Sequence, residues 1–194
     1  MLRVLMLAPP GAGKGTQAKR IAARFEIEHI ASGELFRREI AAGTEIGQLS
    51  SDYLSRGDLV PDDVVIKVVL PKLVAAAHAG GYVLDGFPRN VHQAEMAYEV
   101  ASSHDDVTLQ AVLHLRVGRD ELRRRMLARA RSEGRGDDTA ATIEHRLEVY
   151  DRQTQPLLEY YHARGLVFDI DGERDPDQVT REILELLEEV KASV

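Results

Sequence analysis

An α/β fold, with a mostly parallel sheet covered by helices on both faces, is predicted by three features of the sequence. Short apolar runs alternate along the chain with longer stretches of helical spacing, as in strands joined by right-handed helical crossovers. No internal repeat, low-complexity tract or linker rich in Pro, Gly or Ser divides the chain. A length of 194 residues with 44% apolar and 29% charged composition suits one domain built on one sizeable core.

The first strand is read at Val4 to Leu7. The opening Met1-Leu2-Arg3-Val4-Leu5-Met6-Leu7-Ala8 has the look of a signal peptide, but its apolar stretch is short and runs into Pro9-Pro10-Gly11 with no small-residue cleavage site. A buried strand accounts for it better. Ala18, Ile21, Ala22 and Phe25 then fall at helical spacing, so a helix follows. Glu28 to Ala31 reads as the second strand. From Ser32 to about residue 72 the pattern is helical with no strand, which predicts an inserted subdomain. Tyr82 to Leu84, announced by Gly80-Gly81, is the third strand, Ala111 to Leu115 the fourth and Leu166 to Ile170 the fifth. Residues 129–138 are polar and glycine-bearing, as a mobile loop is. The last helix carries its own boundary signals: Asp175 to cap it, Pro176 in the first turn, and Val179, Ile183, Leu186, Leu187 and Val190 along one face.

Composition narrows the function classes. Lys+Arg 25 against Asp+Glu 32 gives a net charge of −7, which disfavours sequence-independent binding to long nucleic acid. An anionic ligand must therefore meet a local cluster of cations. Zero cysteines exclude disulfides, thiol nucleophiles and cysteine-ligated zinc or iron–sulfur clusters. No apolar run approaches the ~20 residues that span a bilayer. The expectation is a cytoplasmic protein with no membrane partner.

The strongest chemical signal is Gly11-Ala12-Gly13-Lys14-Gly15-Thr16, set between the first strand and its helix. Backbone N–H groups of such a loop converge with a helix N-terminus to make an anion nest, and side chains there would block close approach to phosphate oxygens. Lys14 is expected to bridge terminal phosphates, and the Thr16 hydroxyl to reach phosphate or magnesium. Two departures from the strict phosphate-loop pattern stand out: Ala8 replaces its first glycine, and Gly15 follows Lys14, displacing the hydroxyl to Thr16. A methyl at position 8 is harmless if φ stays negative there and costly otherwise, so weakened phosphate binding is the most that is expected.

With Ser32-Gly33-Glu34-Leu35-Phe36-Arg37, Asp85-Gly86-Phe87-Pro88-Arg89, Arg135-Gly136-Asp137-Asp138 and Arg146-Leu147 following Pro10-Gly11-Ala12-Gly13-Lys14-Gly15-Thr16-Gln17 in that order, the chain resembles the adenylate kinases from residue 1 to about 185. The resemblance implies a three-layer P-loop fold on a five-stranded parallel sheet, treated as one kinase domain. Its core is 1–30, 61–125 and 139–194, with a helical nucleoside-monophosphate subdomain at 31–60 and a short lid at 126–138. It implies the reaction ATP + AMP ⇌ 2 ADP, dependent on Mg2+, by a monomer. The lid lacks the cysteine-bearing insertion that some relatives use for zinc, so no zinc is expected.

The same resemblance implies the site. Gly11, Ala12, Gly13, Lys14, Gly15 and Thr16 hold the ATP phosphates, with Arg125 over the adenine and Arg129 on the phosphates. Ser32, Arg37, the backbone of Asp58, Leu59 and Val60, Gly86, Arg89 and Gln93 line the AMP side. Arg135 and Arg146 reach the transferring group and the acceptor phosphate. Asp85 orients magnesium through water, with no direct protein ligand expected, and Asp137 and Asp138 tether a closed lid through arginines. Guanidinium forks match phosphate oxygens, which suits Arg37 and Arg89 to that work. Taken alone, Arg37 reads equally as an exposed helix residue pairing with Glu34, and Gln93 as a solvated one. Ser32 and Gln93 favour AMP over UMP or CMP, because pyrimidine-specific relatives carry Ala and Asn at those places. Asn90 leans the other way.

Eight arginines lie between Arg116 and Arg135, and Arg119, Arg123, Arg124 and Arg131 among them are expected to be solvated or ion-paired. The seven histidines, at 29, 78, 92, 104, 114, 145 and 162, show no metal-ligand spacing and are taken as structural or surface residues. Lys14, Arg89, Arg129, Arg135 and Arg146 would surround charge on the transferring oxygens, and no general base is demanded. Two readings compete: a pyrimidine-directed UMP/CMP kinase, and a slow ATP-hydrolysing nucleotide-binding switch. The second needs a positioned water and a γ-phosphate sensor, and no such motif is evident.

Overall fold

The structure, a computed structural model, describes residues 1–102, 108–133 and 139–193. In chain order the elements are β1 (Leu2–Leu7), α1 (Lys14–Phe25), β2 (Glu28–Ala31), α2 (Ser32–Ala41), α3 (Glu45–Arg56), α4 (Asp62–Ala79), β3 (Gly81–Asp85), α5 (Val91–Ser102), β4 (Ala111–Arg116), α6 (Arg119–Glu133), α7 (Ala140–Val149), a π-helical turn (Tyr150–Thr154), α8 (Pro156–His162), β5 (Val167–Asp171) and α9 (Pro176–Ala192). All four strand pairings are parallel, in the order β2-β3-β1-β4-β5. The expected three-layer α/β architecture and five-stranded sheet are present.

Alternation along β1 builds both helical layers. Leu5 and Leu7 face a layer shared with Val69 and Leu73 of α4, Ala94 of α5 and Leu157 of α8. Val4 and Met6 face the other, shared with Ile21 of α1, Met126 of α6, Ile143 of α7 and Ile183 of α9. A strand buried on both faces reads as a largely apolar run, as Val4–Leu7 does, with Arg3 the one charged residue of β1. At α9 the predicted cap is present: the Asp175 carboxylate accepts the backbone N–H groups of Asp177 and Gln178.

Residues 32–60 contain α2 and α3 and no strand, as the insertion requires. Residues 129–133 depart from expectation, since α6 continues to Glu133 where a loop is read from the sequence. Arg129-Ala130-Arg131-Ser132-Glu133 holds no Gly or Pro, and Arg and Ala favour the helix more than their polarity favours a loop. Met126, placed by sequence at the start of the lid, is fully buried in the core. No helix among the described residues is long and apolar enough to cross a membrane.

Candidate active site

Parallel register brings three strand ends together. Met6 of β1 and Ala31 of β2 both lie opposite Asp85, the last residue of β3. The chain leaves β1 into the phosphate loop, β2 into Ser32 and β3 into Gly86, so the three motifs that follow share one crevice. The strand order reverses at β1, where open α/β sheets place their ligands.

The phosphate loop has the backbone that its glycines predict. Gly11 and Gly13 take φ of 87° and 97°, and Gly13 opens α1 in the left-handed region. The first turn of α1 carries no acidic side chain, leaving its positive end available to an anion. Ala8 does not have positive φ; Glu26 alone does among the described non-glycine residues. The substitution at the head of the motif is therefore not strained. The Ala8 carbonyl accepts a hydrogen bond from Lys14 Nζ at 2.7 Å, as does that of Pro9 at 3.0 Å.

Lys14 feels the charges of Asp85, Arg89 and Arg129. Burial in the crevice pushes the Lys14 ammonium down to about 8; Asp85 opposes that shift, and Arg89 and Arg129 add to it. Arg89 is likewise pushed below its ordinary value by burial, against the pull of Asp85 and with the push of Arg146 and Arg37. Both cations come from the sequence motifs, and Asp85 opposes the shift of each. A side chain carried by Gly15 would meet Asp85 Oδ2 at 3.4 Å, so that carboxylate stands against the first turn of α1, one residue from Thr16. No group of three His, Asp or Glu side chains among the described residues could hold a metal by itself. One carboxylate beside a hydroxyl-bearing phosphate loop fits Mg2+, which keeps most of its waters and takes its remaining ligands from phosphate.

The acceptor side turns on Gly86. Its carbonyl accepts from Ser32 Oγ at 2.6 Å and from Arg89 Nε at 2.8 Å. At φ of 80°, an added Cβ would lie 2.8 Å from Ser32 Oγ and 3.0 Å from an Arg89 guanidinium nitrogen, so only glycine fits. Arg37 folds over Gly33, while Glu34 pairs with Lys19 at 3.5 Å. Arg146 reaches the Leu54 carbonyl at 3.3 Å and packs on Gly57, joining α7 to the inserted helices. Asp58 accepts from His145 at 2.7 Å and Arg56 at 3.1 Å; these hydrogen bonds, His145 first, hold its carboxyl below the ordinary value. Val60 is buried in the core and Leu59 is half-buried beside it.

On the ATP side, Arg125 donates to the carbonyls of Gly172 at 3.0 Å and Ala12 at 3.4 Å, and pairs with Glu121 at 2.6 Å. It bridges the phosphate loop to the turn after β5. Arg119 pairs with Asp151 and Glu144, Arg123 with Glu144 and Asp120, and Arg124 with Glu121, as expected for arginines outside the site. Arg131 is exposed. Arg135, Asp137 and Asp138 lie outside the described residues.

Three contributors escape a reading of the sequence. Thr154, in the π-helical turn, donates to the Arg89 carbonyl at 2.7 Å and so fixes the backbone that carries the guanidinium. His29 Nε2 stands 3.9 Å from Asp85 Oδ2, and burial pushes that imidazole below its ordinary value. Asp62 accepts from Gln93 Nε2 at 2.7 Å, Asn90 Nδ2 at 3.0 Å and His92 Nδ1 at 2.8 Å. Asn90 also accepts the backbone N–H of Gln93 at 2.7 Å, the work of a helix cap. Its resemblance to a pyrimidine-directed pattern thus has a local structural cause. A polar residue with local partners carries no sequence signal of which partner it takes.

Residues 6–166 match the family model described as adenylate kinase. Among curated proteins, the adenylate kinase of Thermobifida fusca is 42% identical over 186 residues, covering 96% of this chain and 98% of the relative. That of Kocuria rhizophila is 44% identical over 188 residues, covering 97% and 100%. That of Micrococcus luteus is 39% identical over 193 residues, covering 100% and 94%.

Proposed function

The chain belongs to the adenylate kinase family, and from that premise we propose how its residues transfer the terminal phosphoryl group of ATP to AMP, giving two ADP reversibly. The observation that carries the reading is the crevice into which the parallel strand ends deliver the phosphate loop, Ser32 and Gly86, with Ser32 and Arg89 both bonded to the Gly86 carbonyl and Lys14 at the loop. One anion-binding surface faces another, as transfer between two phosphate groups demands. The loop N–H groups from Gly11 to Thr16 and Lys14 hold the donor phosphates, with Arg125 at the base edge and Arg129 on the phosphates. Arg37, Arg89 and Arg146 hold the acceptor phosphate, and Ser32, Gly86, the Asp58–Val60 backbone and Gln93 its nucleoside. Arg135 joins the transferring group by its place in the motif.

Phosphoryl transfer asks the protein for alignment and charge stabilisation rather than covalent work. The acceptor oxygen is already anionic, so no base needs to remove a proton. The Arg89 guanidinium is held by the Gly86 carbonyl, and its backbone by Thr154. Mg2+ bound with ATP neutralises phosphate charge, and Asp85 and Thr16 are the residues beside which it would sit. Water competes as acceptor, and closure of the inserted helices and of the lid at 126–138 would exclude it. We place the protein in the cytoplasm as a monomer.

A ³¹P NMR time course with ATP and magnesium, run with AMP, with UMP and with no acceptor, tests this reading. ADP appearing with AMP alone is expected. Equal transfer to UMP would overturn the roles of Ser32 and Gln93, and phosphate release without acceptor would overturn the two-site mechanism.

A further inference from the structure

A carboxamide distinguishes purines only if it cannot turn over. The edge of a 6-aminopurine offers a donor at N6 and an acceptor at N1, and that of a 6-oxopurine offers the reverse. Glutamine serves either by rotating its amide half a turn, exchanging oxygen for nitrogen. A glutamine at a purine site is therefore selective only to the extent that something else holds the amide.

Gln93 is held at both ends. Its Oε1 accepts the backbone N–H of Arg89 at 2.8 Å, and its Nε2 donates to Asp62 Oδ1 at 2.7 Å. The partners dictate this orientation, because a backbone N–H can only donate and a carboxylate can only accept. Asp62 is itself fixed: Asn90 donates to the same Oδ1, and His92 meets Oδ2 at 2.8 Å. Although burial raises its carboxyl, the hydrogen bonds of His92, Gln93 and Asn90 outweigh that and hold it below the ordinary carboxylate value. It stays an acceptor throughout the neutral range. Each end of the amide keeps one further hydrogen-bonding position, a lone pair on Oε1 and a hydrogen on Nε2, which is the complement of a 6-aminopurine.

We propose that Asp62 sets the purine specificity of the acceptor site by locking the Gln93 amide, with the Arg89 N–H, in the orientation that accepts a 6-aminopurine and rejects a 6-oxopurine. The proposal rests on the reading of Gln93 as a contact to the acceptor base. Turning the amide over would set its oxygen against the Asp62 carboxylate and its NH2 against the Arg89 N–H, in a place where Gln93 is only 1% exposed and water cannot substitute. Asp62 is a positioning residue and touches no substrate.

The test compares kcat/KM for AMP and for inosine monophosphate in the full chain and in Asp62→Ala, Asp62→Asn and His92→Ala. The parent is expected to favour AMP strongly. Asp62→Ala should raise the inosine-to-adenosine ratio by about tenfold or more. Asp62→Asn, which keeps the shape and can turn its own amide to suit, should raise it by less, and it decides the matter if the alanine variant does not fold. His92→Ala, which removes one of the groups that hold Asp62, should raise the ratio by less than Asp62→Ala does. Equal loss with both nucleotides and an unchanged ratio in the Asp62 variants would mean that Asp62 is merely structural and would overturn the lock. A parent that phosphorylates neither nucleotide would overturn the acceptor-site reading beneath it.

Discussion

Raising the pH from 7 to 9 should weaken ATP binding by about tenfold, through Lys14 alone. Its ammonium is held down to about 8 from 10.5 by burial in the crevice and by the arginines across it. A group of that pKa is about nine-tenths charged at pH 7 and about one-tenth at pH 9, whereas an ordinary lysine stays charged at both. ATP phosphates, whose last pKa lies near 6, keep their charge over this span. If the bound phosphates need the charged amine, binding at pH 9 must draw in nearly one proton per ATP. Titration calorimetry in two buffers of different ionisation enthalpy reads that proton directly, and Lys14→Met should abolish the uptake. The sign for stability is opposite to that for binding. Because the folded pKa lies below the unfolded one, the unfolded chain holds more protons between about pH 8 and 10.5, so folding becomes more favourable across that window. With partial exposure allowed for, the gain from pH 8 to 9.5 is about 1 kcal/mol. Tyr82, Tyr150 and Tyr161, raised by burial above 10.0, work the other way only as pH passes that value. An ATP affinity that is flat from pH 7 to 9, with no proton taken up, would refute the account of Lys14.

Other substitutions probe separate links. Arg89→Ala should lower turnover on the order of 10³-fold or more, measured by coupled ADP formation, with activity within a few-fold of the parent contradicting its role. Ala8→Gly should change ATP affinity less than twofold in calorimetry, since position 8 has no positive φ for glycine to relieve. Gly86→Ala should cost roughly 1–3 kcal/mol in denaturant unfolding, from left-handed strain together with displacement of Ser32 and Arg89. Thr154→Val should lower stability by about 1 kcal/mol and reduce turnover, by releasing the Arg89 carbonyl.

What the sequence makes legible follows from how local each cause is. The strands, the loop between β1 and α1 and the Asp175 cap depend on neighbours a few residues away, and the structure has them where periodicity and capping residues put them. Ala8 could be weighed in advance only as a condition on φ, because backbone angle at a strand exit depends on what the loop packs against. The end of α6 runs through Arg129–Glu133, where polarity and a nearby glycine pair read as a loop, because Arg and Ala carry enough helix propensity to continue the helix. Asp62, His92 and Thr154 were illegible for a different reason. Their partners lie 31, 30 and 65 residues away in the chain, and only the fold decides which of several polar groups each one meets.

The division of the arginines answers how a chain of net charge −7 presents a cationic crevice. On the outer face of α6, Arg119, Arg123 and Arg124 meet Asp120, Glu121, Glu144 and Asp151, and their charge is largely cancelled at short range. Inside, Lys14 and Arg89 sit where burial and like charge oppose their own ionisation, with Asp85 as the acidic group acting against that pressure on both. Unfavourable cationic free energy in the folded protein is thus concentrated at the places where phosphate oxygens bind. On the proposed reading, the phosphates of donor and acceptor would relieve it best when held together, so the repulsion within the crevice would favour the ternary complex over either nucleotide alone.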